Sequence, residues 1–155
     1  MTTATRAMIP DLLRFASVML TAIAMAGGFA HLLELPRKIE MSHEEYLIVQ
    51  RIYRGWALLG VAVVGALLSS VLLALTVHDR PAEVYLTVAA AVCILISLIV
   101  FFAFTFPANR ETANWTTLPE NWQKLRRHWE YSHAVGAALY FLALSLLTLS
   151  LLVGQ

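Results

Sequence analysis

Charge is scarce in this chain of 155 residues: Asp, Glu, Lys and Arg make up 14% of it, against roughly a quarter of an ordinary soluble domain. A soluble fold of this length needs more polar surface than that supplies. The formal net charge of +1 gives no reason to invoke nucleic acid. One cysteine, Cys93, excludes an intramolecular disulfide and leaves the redox compartment open. No glycine-rich loop precedes a helical pattern, so nucleotide or phosphate binding has no support, and the serines lack any triad context. No internal repeat, low-complexity stretch or flexible linker divides the sequence. It is read as one domain over residues 1–155.

What is abundant is apolar residue, 59% of the chain, gathered into four runs. Leu12 to Leu33 carries Arg14 and His31 as its basic groups; Trp56 to Val77, Val84 to Phe106 and His133 to Val153 contain no Asp, Glu, Lys or Arg. Each run meets the roughly 20 residues that a helix needs to cross a hydrocarbon core of about 30 Å. The expected fold is therefore all-α, an integral membrane four-helix bundle with spans near 12–34, 55–77, 84–106 and 132–153. Ala24-Met25-Ala26 has the small-residue spacing of a signal-peptide cleavage site, but the stretch from Phe15 to Leu33 exceeds most such segments and is read as a retained first helix.

The connections are uneven. His78 to Glu83 forms a short turn marked by Pro81, whereas Glu34 to Gly55 and Pro107 to Ser132 are long. Four spans put both long connections on one side. Eight of the eleven Lys and Arg residues lie there, and Arg6, Arg14 and Arg80 lie opposite. The positive-inside rule then places the long connections in the cytoplasm, with the cell inner membrane as the expected location. Each long connection is expected to hold a short interfacial helix. Ser42-His-Glu-Glu45 and Thr117-Leu-Pro-Glu120 both have capping-box spacing. The first of these is read as feeding the second span, the second as running into the fourth, and Pro36 as ending the first helix.

On a wheel of about 100° per residue, Trp122, Arg126, Trp129 and His133 fall within about 60° of one another. Glu130 lies beside them, and Tyr140 shares the stripe two turns deeper. Two indoles, a guanidinium and an imidazole suit helix neighbours better than lipid tails. His31 and Glu34 share a face at the end of the first span, and Arg51, Arg54, Asn109 and Arg110 reach the same rim by topology. One cluster of His31, Glu34, Arg51, Arg54, Asn109, Arg126, Glu130 and His133 is expected, walled by Phe101 to Phe106. An ionisable side chain inside a span is costly and marks a site. Simpler roles fit other residues: Trp56 as a headgroup anchor, Arg37, Lys38, Arg54 and Arg127 as snorkelling groups. Glu40, His43, Glu44 and Glu45 read as a solvated face, and Gly27, Gly28, Gly60 and Gly65 as helix-packing points. At the opposite end His78, Asp79, Arg80, Glu83 and Asp11 read as turn and interface residues.

The segments FAHLLELPRKIEMSHEEYLIVQRIYRGW and FPANRETANWTTLPENWQKLRRHWEYSH resemble the DUF1772 family of small four-span membrane proteins, also called the anthrone oxygenase family. The resemblance spans nearly the whole chain. It rests on Pro107, Asn109, Trp115, Trp122, Arg126, Trp129 and His133. Many members carry an arginine shortly after that histidine, where this chain has Ala134, Val135 and Gly136, so no role for it carries over.

The resemblance implies oxidation of a small hydrophobic aromatic molecule, anthrone- or quinone-like, without a separate cofactor. His133 or His31 would be the base, oriented by Glu130 or Glu34. Arg126, Asn109 and the indoles of Trp115, Trp122 and Trp129 would face the developing oxyanion, with Tyr140 deeper in the pocket. Two other readings stand beside it. One is a lipophile-binding, transport or partner subunit without chemistry. The other is a metal or haem between His31 and His133, which come from different helices at similar depth. Partners are the bilayer and a small hydrophobic ligand, and glycine-bearing faces permit a homo-oligomer.

Overall fold

The computed structural model describes residues 3–154, and the side chains from Met8 onward. Its order is α1 (Thr3–Lys38), α2 (His43–Gln50), α3 (Leu59–Thr76), α4 (Pro81–Val100), α5 (Phe106–Glu111) and α6 (Trp122–Val153). Two 3-10 turns, Arg51–Tyr53 and Trp56–Leu58, lie between α2 and α3, and a π turn, Phe101–Thr105, joins α4 to α5. Four helical stretches are long and apolar enough to cross a membrane: Met8–Lys38, Trp56–Thr76, Pro81–Glu111 and Trp122–Val153. These features together make an all-α four-helix bundle of the kind found in integral membrane proteins. α1 packs on α3 and α6, and α4 packs on α6 and α3.

The bundle is built as a lipid-facing protein must be. Leu12, Phe15, Leu68, Leu75, Val92, Phe141 and Leu152 point outward. The inward faces are small or hydroxylic: Ala24, Val63, Ala66, Ala90, Cys93, Ile94, Ala143 and Leu147 form the apolar core, with Ser17, Thr21, Ser69, Thr87 and Ser97 also buried. Ser69, Ser97 and Ser150 bond back to the carbonyls of Ala66, Ile94 and Leu147, which satisfies their hydroxyls within the helix. Small residues let backbones approach where lipid offers no hydrophobic drive for helix association. A Cβ at Gly28 would lie 3.1 Å from Ala137 Cα, so α1 and α6 meet there almost backbone to backbone. Gly27 and Gly65 also face neighbouring side chains, whereas Gly60 faces open space and plays no packing part.

Several sequence expectations give way at the connections. Pro36 does not end α1, which continues to Lys38. Proline withholds one hydrogen bond from Leu32, but the amide of Ile39 still reaches Leu35 at 3.0 Å. The Ser42 capping box is present: the Ser42 amide donates to Glu45 Oε2 at 2.8 Å and the Glu45 amide to Ser42 Oγ at 3.4 Å. The helix it starts does not run into the second span, because Gly55 at φ +94° breaks the path. In the other connection the Thr117 capping box does not form. Thr117 donates to the Thr112 carbonyl instead, and α6 begins at Trp122 after Asn121.

The third span extends past its expected end by means of the π turn. The amide of Phe106 reaches back five residues to Phe101, which loosens the helix just ahead of Pro107. This turn aims Phe101, Phe102, Phe104 and Phe106 outward, so they wall no internal space. At the opposite end of the bundle, Glu83 is more than a turn residue. It is buried, Arg14 grips both of its oxygens at 2.7 and 2.9 Å, and Arg80 ties it to the Gly154 carbonyl.

Candidate functional site

Polar side chains converge where the two long connections meet the bundle. The centre is Glu130, on the inward face of α6 and 0% exposed. Its Oε1 lies 2.8 Å from Lys38 Nζ and accepts a 2.8 Å hydrogen bond from the Tyr46 hydroxyl, which in turn accepts from Gln50 Nε2 at 2.6 Å. Lys38, 2% exposed, closes α1. Its ammonium sits 4.4 Å from the ring centres of both Tyr53 and Trp129, a cation–π arrangement. A buried charge needs a partner and aromatic faces to offset desolvation, and Lys38 has both. The expectation that Lys38 snorkels is therefore corrected.

A second layer is aromatic. The His31 ring lies 4.3 Å from His133, 4.6 Å from Tyr53, 4.8 Å from Trp129 and 5.3 Å from Trp56. His133 Nδ1 is bonded to the Trp129 carbonyl at 2.7 Å, which fixes the ring. Trp56, expected as a headgroup anchor, is half-buried against His31 and Tyr53. Asn109 Oδ1 accepts both the Trp115 and Trp129 indole N–H groups, at 3.0 and 2.9 Å. That joins α5, the loop and α6. Around it, Ala113, Asn114 and Trp115 all adopt left-handed backbone, at φ 48°, 55° and 60°. Such a run costs roughly 1–2 kcal/mol per residue. Here it is held by the Trp115 amide on Thr112 Oγ1 and by the buried Trp115 ring.

Of the expected cluster, His31, Glu34, Asn109, Arg126, Glu130 and His133 come together; Arg51 and Arg54 do not, being exposed. The 3-10 turn after α2 rotates Arg51 and Arg54 away from the rim. Arg126 donates to the carbonyls of Met41 at 2.7 Å and Lys38 at 3.4 Å while stacking 4.6 Å from Trp122. It thus closes the end of α1. Tyr140 packs with the apolar core, a layer away from the rim. Tyr46, Gln50, Tyr53 and Lys38 were missed. Tyr46 and Gln50 stand four apart on α2, a helical pair that reads equally as a lipid-interface pattern. Glu130 and His133 do stand at the Glu-x-x-His spacing that a sequence reading of the two histidines denied them, and in the fold Glu130 is engaged by Lys38 and Tyr46 instead of by His133.

Electrostatically, the tyrosines of the first long connection follow the neighbouring carboxylates Glu130 and Glu34. Burial, reinforced by Glu130, pushes the Tyr46 hydroxyl well above its ordinary value. Burial and then the hydrogen bond to Glu34 do the same for Tyr53. Both phenols stay protonated as donors. The Glu45 carboxyl is held below its usual value by the Ser42 amide and hydroxyl.

An apolar groove of about 560 Å³ runs between α1 and α3, lined by Ile23, Ala26, Gly27, Leu59 and Ala62 and ending at Trp56. Ile23 and Leu58 on its rim are exposed on the lipid-facing surface. Among the described residues no group of three or more His, Cys, Asp or Glu side chains is gathered as a metal ligand set. Compared with protein families, with curated proteins and with solved structures, the chain finds no match.

Proposed function

We propose that this is a membrane-embedded, oxidoreductase-like protein acting on a small hydrophobic aromatic molecule, anthrone- or quinone-like, that reaches the rim cluster from the bilayer. The observation that carries this reading is His31. It is buried, faces a second imidazole at 4.3 Å, and its Nδ1 has no hydrogen-bond partner among the described residues. Trp56, whose ring lies 5.3 Å from that of His31, also lines an apolar groove. A base placed at the end of an apolar slot is the arrangement that proton abstraction from a hydrophobic acid requires.

The chemistry balances without a further cofactor. His31 or His133 removes a proton from the CH₂ of an anthrone, leaving an enolate. The enolate gives electrons to O₂; one oxygen atom ends as the new ring carbonyl and the other leaves in water, with CH₂ and O₂ becoming C=O and H₂O. The resemblance to the DUF1772 family supports this reaction class, and the excess of Lys and Arg on the long connections supports their placement in the cytoplasm of an inner-membrane protein.

A second reading, a lipophile-binding or partner subunit without turnover, draws on a different observation. Asn109 joins the indoles of Trp115 and Trp129, Arg126 bonds backbone carbonyls and Glu130 accepts from Tyr46, contacts of a structural kind. A metal reading has only two adjacent imidazoles to offer, below the three or four protein ligands of a typical zinc centre, and the same two rings, 4.3 Å apart, leave no space for a haem between them. Oxygen uptake by nanodisc-embedded protein supplied with anthrone tests the proposal. His31→Ala and His133→Ala should each lower turnover by about 100-fold, the usual scale for a general base. Unchanged turnover in both variants refutes it, and binding without turnover in the native chain favours the second reading.

A further inference from the structure

The groove between α1 and α3 has a shallow floor, because Ala26 and Gly27 on one helix and Ala62 on the other leave little side chain there. Its sides, Ile23 and Leu58, are exposed on the lipid-facing surface. From Gly55 to Ala62 it follows the chain for about 10 Å. The end at Gly55 and Trp56 is where the first long connection enters the second span. Directly before that end, Arg51 and Arg54 stand three apart on a 3-10 turn, closed by the Arg54 amide on the Arg51 carbonyl at 3.3 Å. Residues three apart eclipse in such a turn, so the two guanidinium groups leave on one side. Both are exposed, and the ion pairs among the described residues include neither. The Arg54 Cα is only about 3.8 Å from that of Gly55, which lines the groove. Ile48 and Ile52 beside them are exposed too. A segment that shows both guanidinium and large aliphatic groups outward suits the boundary between headgroups and acyl chains.

We propose that groove and turn together form a docking site for one anionic phospholipid, with an acyl chain along Gly55 to Ala62 and the phosphate against Arg51 and Arg54. The chain meets only apolar and small side chains, and the phosphate meets two planar guanidinium groups that no carboxylate claims. Each arginine at a membrane surface favours an anionic head by about fivefold, so the pair favours it by about 30-fold. A zwitterionic lipid brings the same chain, but its ammonium offsets the phosphate. A second copy of this protein fits the patch poorly. A two-fold contact sets one patch against itself and would gather four guanidinium groups at one place. Such a site is independent of the reaction proposed above, and a substrate entering by the same groove displaces the acyl chain.

Trp56 reports on the groove. The protein is placed in phosphatidylcholine nanodiscs doped with phosphatidylglycerol or phosphatidylcholine carrying dibrominated acyl chains, which quench indole fluorescence on contact. The signal of Trp56 is the difference between the native chain and Trp56→Phe. Brominated phosphatidylglycerol should reach half-maximal quenching at about 30-fold lower mole fraction than brominated phosphatidylcholine. Arg51→Gln/Arg54→Gln should make the two lipids equal. Lys124→Gln/Arg127→Gln, at exposed positions of α6, should keep the preference and so separates a local site from general attraction to a basic surface. Ala26→Leu, which fills the groove, should lower quenching by both lipids. Equal quenching in the native protein overturns the site, as does a preference that survives the loss of Arg51 and Arg54. So does a preference lost equally in the α6 pair, or undiminished quenching in Ala26→Leu. Discs that hold two copies and in which neither lipid quenches Trp56 make the groove a protein interface and also overturn it.

Discussion

Replacing Lys38 by methionine should be among the most destabilising single changes in the chain, and its cost should vanish in part when Glu130 is neutralised with it. The ammonium lies 2.8 Å from a carboxylate that is wholly inaccessible. At an effective dielectric constant near 20 the gross attraction is about 6 kcal/mol, most of which offsets the cost of removing both charges from water. Removing one partner of such a pair costs about 3–5 kcal/mol, because the other charge is stranded. The Tyr46 hydroxyl still donates to Glu130 in the variant, which puts Lys38→Met near the lower end of that range. Methionine keeps the packing volume against Tyr53 and Trp129 but loses their attraction to a cation. Denaturant titration in mixed micelles, read by circular dichroism, supplies the four corners of a double-mutant cycle with Glu130→Gln. The expected coupling is about 2 kcal/mol or more. If Lys38→Met costs under about 1 kcal/mol, or the two changes simply add, the pair is not the structural centre argued above.

Other consequences are as direct. Gly28→Val would push a branched side chain into the Ala137 backbone, costing about 1–3 kcal/mol as overpacking does, measurable as a lowered melting temperature. Arg14→Leu should strand buried Glu83, which among the described residues keeps only Arg80 at 3.4 Å; about 3 kcal/mol should be lost and largely restored by adding Glu83→Gln. The Glu45 carboxyl is held low by the Ser42 cap, so the folded state binds its proton less readily than the unfolded chain. The capping contribution is present above the ordinary carboxylate value and fades as pH falls through the folded one. An NMR titration should show Ser42→Ala returning Glu45 to the ordinary carboxylate range.

The four spans were legible because a bilayer demands about 20 apolar residues in a row and tolerates no alternative backbone. The rim residues on regular helix were legible for a related reason: a 3.6-residue period is a geometric constant, and Arg126, Trp129, Glu130 and His133 keep phase along α6. Where the period slips, legibility ends. At the π turn Phe101, Phe102, Phe104 and Phe106 face outward, and at the 3-10 turn before Gly55 so do Arg51 and Arg54. Lys38 carries no local signal at all, because a lysine at a helix end reads as a headgroup contact until Glu130, 92 positions later, is known to be beside it. Tyr46 and Tyr53 likewise acquire their roles from carboxylates on other helices.

That separation along the chain bears on biogenesis. Arg126 closes the Lys38 carbonyl at the end of α1 and the Met41 carbonyl beyond it, and Glu130 neutralises the terminal lysine of α1, yet both arrive on a helix synthesised after the other three spans. Until α6 docks, the first three spans hold an unmatched cation and open peptide groups at their membrane boundary. A chain stalled or cut before α6 is thus marked as unfinished by its own chemistry, in a form that quality-control proteases of the membrane are suited to detect.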